Sequence, residues 1–132
     1  MKLLVDSSAF YAALDGRDAN HVAANEAFVA RTRSGDRLWT HNYVIAESCA
    51  LVQRRLGAEA ASDLLARLVP LTEILWIGAD VHDSAVAAFL AAPSRALSLV
   101  DRVSFEVMRR DGIDAVFAFD ADFGRAGFRT VP

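Results

Sequence analysis

Lys2-Leu3-Leu4-Val5-Asp6-Ser7-Ser8 is the stretch around which the chain is organised. Three consecutive apolar residues with no polar alternation read as a strand buried on both faces, in the middle of a parallel sheet. Such sheets bind ligands in the crevice beyond the carboxyl ends of their strands. Asp6, directly after the last apolar residue, is therefore aimed at that crevice. Asp6 or Ser7 equally suits the cap of a following helix. A second copy of the arrangement lies near the far end, where Ala115-Val116-Phe117-Ala118-Phe119 runs into Asp120.

Working outward, Ser7–Leu14 reads as a short helix ended by Asp15-Gly16. A longer one starts at Asp18 and runs to about Arg33, with Ala24, Ala27, Phe28 and Arg31 on one face. Arg37–Thr40 is a brief strand. Asn42 is the expected N-cap of a helix from Tyr43 to about Leu56, with Ile45, Cys49, Val52 and Leu56 as its apolar stripe. Ala58–Val69 is a further helix that should turn Leu64, Leu65 and Leu68 inward. Glu73–Ile77 is a third strand, and Asp80–Leu90 a helix. Ser98 opens a helix to Arg110 with Val100, Val103, Val107 and Met108 as its apolar positions. Gly124–Gly127 form a turn before a last strand, Phe128–Val131. Strands separated by helices imply crossover units. The expectation is one α/β domain over residues 1–132, in three layers, with a central, mostly parallel sheet of about five strands flanked by helices.

A chain of 132 residues that is 54% hydrophobic has enough apolar surface for a real core. Its formal charge of −3 argues against a generally basic nucleic-acid binder. All its cations except Lys2 are Arg, whose planar fork suits phosphate, although a high-GC coding bias gives the same skew. Cys49 stands alone, which excludes an intrachain disulfide and a thiolate zinc cluster. His21, His41 and His82 share no i, i+4 spacing and fit surface or capping roles. The apolar run before Asp6 is too short for a signal peptide or a membrane span, so a soluble cytoplasmic protein with no membrane contact is expected.

Two more acids lie near helix starts that should reach the same sheet edge. Glu47 follows the Arg37–Thr40 strand, and Asp101 sits in the first turn after Ser98. Each acid also has a structural use: Glu47 as a solvated acid favouring the helix dipole, Asp101 as a capping-box acid, Asp120 as a turn starter with Asp122. Four carboxylates at one edge suit metal-assisted phosphodiester hydrolysis, because Mg²⁺ and Mn²⁺ prefer carboxylate and water oxygens. Other acid-bearing α/β sites fit less well. A phosphoacceptor receiver needs a Lys at the carboxyl edge, a dehalogenase-type phosphatase needs an Asp where Ser8 stands, and no P-loop sequence is present.

Val5-Asp6-Ser7-Ser8, Glu47 in its helix, Leu99-Val100-Asp101-Arg102 and Phe119-Asp120-Ala121-Asp122-Phe123 together resemble the PIN domain. More narrowly, they resemble the VapC ribonuclease toxins of bacterial toxin–antitoxin pairs. Asp18-Ala19-Asn20-His21 and Gly127-Phe128-Arg129 are similar to that family as well, and the likeness runs in order along the whole chain. The resemblance implies an endoribonuclease with Asp6, Glu47, Asp101 and Asp120 as catalytic acids and Mg²⁺ or Mn²⁺ as cofactor. It implies metal ligation by Asp6, Asp101, Asp120 and Asp122, the last an acid some members use beside or instead of the fourth. Ser7 stands at the family's supporting hydroxyl position. Arg102 and Arg125 are candidate RNA contacts. Expected partners are the RNA substrate, a small antitoxin protein that covers the site, and a second copy in a homodimer. A non-catalytic PIN-like domain that binds RNA or protein is the alternative, and loss of acids would mark it. Many relatives carry Thr two residues before the fourth acid, where Ala118 stands here. That leaves the orientation of Asp120, and the choice between Asp120 and Asp122, open.

Overall fold

The structure, a computed structural model, describes residues 1–132. Five strands, β1 (Lys2–Val5), β2 (Arg37–His41), β3 (Glu73–Leu75), β4 (Ala115–Phe117) and β5 (Thr130–Val131), form one sheet in the order β3-β2-β1-β4-β5. Every pairing is parallel, so the sheet is wholly rather than mostly parallel. The chain winds outward from β1 to β3, then crosses back to β4 and β5 on the other side. Between β1 and β4 the winding direction reverses, and such a switch point is where open α/β sheets bind ligands.

Helices cover both faces. β1 decides which residues meet which layer, because successive side chains of a strand point to opposite faces. Leu3 and Val5 join the core beneath α1 (Ser7–Leu14), α2 (His21–Arg33), α3 (Asn42–Leu56) and α4 (Ala58–Asp63), with Phe10, Phe28 and Phe117 as its largest rings. Leu4 faces the other way, into the core under α5 (Ala79–Ala91) and α6 (Leu99–Asp111), with Val103, Phe105, Val107 and Val116. Gly112 closes α6 with φ +61° in the left-handed region, which lets the chain turn directly into β4.

Several sequence expectations shift. The second helix starts at His21 rather than Asp18. The cap of α3 is His41, not Asn42. The expected helix Ala58–Val69 is helical only to Asp63 before widening into a π turn at Leu64–Leu68 and tightening at Val69–Leu71. The wider turn swings Leu65 out to solvent, while Leu64 stays fully buried. β3 stops at Leu75 instead of Ile77, and β5 is only Thr130–Val131. Asp122–Arg125, read partly as a turn, is a single helical turn, α7, that buries Phe123.

Candidate active site

A cleft of about 420 Å³ opens beyond the carboxyl ends of β1 and β4. Asp6, Ser7, Ser8 and Tyr11 line it from the end of β1 and from α1. Asp18 and Asn20 come from the turn before α2, Glu47 and Leu51 from α3, Ser98 and Asp101 from the start of α6, and Phe119 and Asp120 from the loop after β4. The four acids singled out in the sequence thus surround one space.

Asp6 is 3% exposed and caps α1. Its Oδ2 accepts from the Ser8 amide at 3.1 Å and from the Ser8 hydroxyl at 2.7 Å. Burial pushes its pKa up to about 6; the Ser8 hydrogen bonds oppose this, and the charge of Asp101 adds to it. The Ser8 hydroxyl in turn accepts from the Phe119 amide at 3.0 Å, so one side chain ties Asp6 to the loop carrying Asp120. Sequence reasoning missed Ser8 and named Ser7, whose hydroxyl lies beside Glu47. Only the Ser8 amide was legible, as the donor that an N-cap acid normally receives.

Ser8→Ala should therefore lower stability by about 1–3 kcal/mol, because it strips a donor from Asp6 and an acceptor from the Phe119 amide. Thermal melting checks this, and an unchanged midpoint would exclude the tie.

Asp101 forms a full capping box: its amide donates to Ser98 Oγ at 3.1 Å and its Oδ2 accepts from the Ser98 amide at 3.0 Å. Burial raises its pKa, the Ser98 bonds lower it, and Asp120 and Asp122 raise it again. Glu47 is also raised, first by burial and then by Asp101, against the Ser7 hydroxyl. The charge of Asp101 acts on both Asp6 and Glu47, which makes it the electrostatic centre of the cleft.

The Asp120 carboxylate is oriented without a hydroxyl at position 118. Its Oδ1 accepts from the Asp122 amide at 2.7 Å, while Ala118 is buried in the core under α6. Burial raises its pKa, and the Asp122 side chain adds to the rise. Asp122 does not line the cleft; its carboxylate pairs with Arg125 at 3.0 Å. Of the two acids, Asp120 faces the space.

Residues 3–129 match the PIN domain. The chain belongs to the PIN-domain family. It is 36% identical over 128 residues to the 23S rRNA-specific endonuclease VapC20 from two strains of Mycobacterium tuberculosis, covering 96% of this chain and 95% of the relative. The crystal structure of Mycobacterium tuberculosis VapC20, described as a sarcin-ricin loop cleaving toxin, matches with a TM-score of 0.85 at 33% identity over 96% of this chain and 95% of that one.

In this PIN domain the cleft presents carboxylate and hydroxyl oxygens and no His or Cys, which is the donor chemistry of a hard divalent cation. No three His, Cys, Asp or Glu side chains converge closely enough to hold an ion between them. That is compatible with Mg²⁺, which keeps several waters and takes only one or two carboxylates. At the rim, Arg125 is largely exposed apart from its pair with Asp122. Arg102 donates to the Ala92 carbonyl at 2.6 Å and so braces the connection between α5 and α6. Arg109 lies over the Phe128 ring, and Arg110 pairs with Glu106 and Asp80.

The three histidines all have structural partners. His21 bonds the Ala12 carbonyl, His41 bonds Ser104, and His82 bonds the Tyr43 hydroxyl.

Proposed function

We propose that this protein is an endoribonuclease toxin of the VapC kind, hydrolysing an RNA phosphodiester bond in the four-carboxylate cleft with Mg²⁺ or Mn²⁺ as cofactor. The observation that carries the reading is the convergence of Asp6, Glu47, Asp101 and Asp120 on one open cleft at the switch point of the sheet. One or two of Asp6, Asp101 and Asp120 would hold the ion directly and the others would reach it through its waters, with Asp122 at the margin. A bound divalent cation supplies an acidified water and offsets charge on the phosphoryl oxygens.

The protein's own groups do the rest. Ser8 fixes Asp6 and the Asp120 loop relative to one another. The Ser98 cap fixes one oxygen of Asp101 and leaves the other for the cleft. Glu47, with its pKa raised and Ser7 at its side, is suited to accept a proton at the cleft wall. Four carboxylates repel an RNA backbone, so the strand needs cations at the rim. Arg125 is the freer of the two candidate contacts, and Arg102 the more committed to the fold.

The identity with VapC20 supports ribosomal RNA of the large subunit as the substrate. A small antitoxin that covers the cleft, a homodimer and a cytoplasmic site of action rest on the resemblance to the VapC toxins alone. Retention of all four acids speaks against a non-catalytic PIN-like binder. The test is incubation of purified protein with bacterial ribosomes in Mg²⁺ or Mn²⁺ and in EDTA, with cut sites read by primer extension. A discrete cut in 23S rRNA that vanishes in EDTA is expected. Equal cleavage in both would sink the metal mechanism, and folded protein that cuts under neither condition would favour the binding-only reading.

A further inference from the structure

His41 is the last residue of β2 and is fully buried. Its Nδ1 accepts from the Val44 amide at 3.3 Å. A backbone amide only donates, so the ring proton lies on Nε2. That nitrogen donates to Ser104 Oγ at 2.8 Å, and Ser104 is also fully buried. Ser104 lies one turn beyond Asp101 on α6, and His41 directly precedes α3, which carries Glu47. The bond therefore joins the cap of α3 to α6, the two helices whose acids Glu47 and Asp101 line the cleft.

The next two residues anchor the same helix start in other directions. Asn42 Oδ1 accepts from the Ile77 amide at 2.8 Å, and the Tyr43 hydroxyl bonds His82 on α5. An apolar residue at position 41 would leave the buried Ser104 hydroxyl and the Val44 amide without this partner. Apolar contact allows helices to slide, whereas a hydrogen bond with both partners buried fixes direction and length.

We propose that His41, acting through Ser104, is a positioning residue that sets the separation of Glu47 from Asp101. This rests on the nuclease reading of the cleft. Burial holds the ring's pKa down to about 4, so it stays neutral and keeps its tautomer throughout the working range of the enzyme.

Two substitutions separate positioning from capping. His41→Asn keeps an acceptor for the Val44 amide, in a residue that caps helices well, but cannot reach Ser104. His41→Gln places an amide nitrogen near the Nε2 position and keeps the strut while losing the cap. Misplacement of reacting groups by about 1 Å costs on the order of a hundredfold. His41→Asn and Ser104→Ala are each expected to lower kcat for RNA cleavage about 10- to 100-fold with KM little changed. His41→Gln should recover most of the turnover although it melts lower. The combined His41→Asn and Ser104→Ala protein should be no slower than the worse single variant.

Activity is measured where circular dichroism shows each protein folded, and Ser104→Ala alone carries the test should His41→Asn not fold. Mn²⁺ affinity and the imidazole ¹⁵N spectrum are read in parallel. The first should weaken in His41→Asn, and the second should show a neutral ring protonated at Nε2. Parental kcat in both Ser104→Ala and His41→Asn would overturn the role, as would His41→Gln being as slow as His41→Asn, additive losses, or a proton on Nδ1. A parent protein without metal-dependent cleavage would overturn the nuclease reading and this role together. A cleaving parent with indifferent variants would overturn this role alone.

Discussion

Asp6→Asn is expected to abolish RNA cleavage while raising the melting temperature of the metal-free protein at neutral pH. The carboxylate is 3% exposed and its folded pKa is about 6, against an ordinary 3.8. The folded state therefore holds the proton more tightly than the unfolded chain does. The associated stability is fully present below about pH 4 and is lost as pH rises through 6. Above that window the ionised group costs roughly 3 kcal/mol, taking 1.36 kcal/mol per pKa unit. An amide at this position keeps an acceptor for Ser8 and never ionises. It should recover part of that cost, a rise of several degrees for a domain of this size.

Activity moves the other way. Loss of a charge worth several kcal/mol at the transition state is a fall of at least about a hundredfold. The measurement is a set of melting curves in EDTA from pH 4 to 8 beside a cleavage assay. The parent should lose stability more steeply than the variant as pH rises from about 4 through about 6, and the two profiles should run parallel above that. Retained turnover would reduce Asp6 to a cap. Identical pH profiles would show that its ionisation costs the fold nothing.

Much of this arrangement is legible in the chain, and the exceptions share a cause. The buried run Leu3–Val5 places β1, and an acid after it must lie at the carboxyl edge whatever the details of packing. The crossover pattern then carries Glu47 and the start of α6 to the same edge. His41 escapes such reasoning because its role exists only once β2 and α6 meet, and local capping preference points to the neighbouring Asn42. Trp76 falls inside the expected strand Glu73–Ile77, yet it lies beyond the end of β3 and is 74% exposed. β3 pairs only with β2, whose register ends at His41 opposite Leu75 because the chain there leaves the sheet to start α3. Asn42 then takes the Ile77 amide that a longer strand would have used. The Ser8 hydroxyl is equally tertiary, since its acceptor and donor lie on loops more than a hundred residues apart.

Asp101→Asn separates two uses of one side chain that the structure shows together. The capping box engages Oδ2 with the Ser98 amide, and an Asn keeps an acceptor for that bond. Neutralising the charge at a helix N-terminus should cost about 0.3–1 kcal/mol, with or without metal. Against this stands repulsion, because Asp101 pushes up both Asp6 and Glu47 and is itself pushed up by Asp120 and Asp122. Removing its charge relieves all of these contacts at once. In EDTA the variant should therefore melt no lower than the parent, and the gap should widen in its favour as pH rises and the raised carboxylates ionise. Metal should reverse the order. A ligand that binds only the folded state stabilises by about 2.7 kcal/mol at a hundredfold excess over its dissociation constant, a rise of several degrees here. The parent should show that rise with Mn²⁺, and Asp101→Asn should largely lose it. Four melting curves, two proteins with EDTA or Mn²⁺, decide the matter. A variant that melts lower in EDTA yet gains as much from Mn²⁺ as the parent would leave Asp101 with the cap alone.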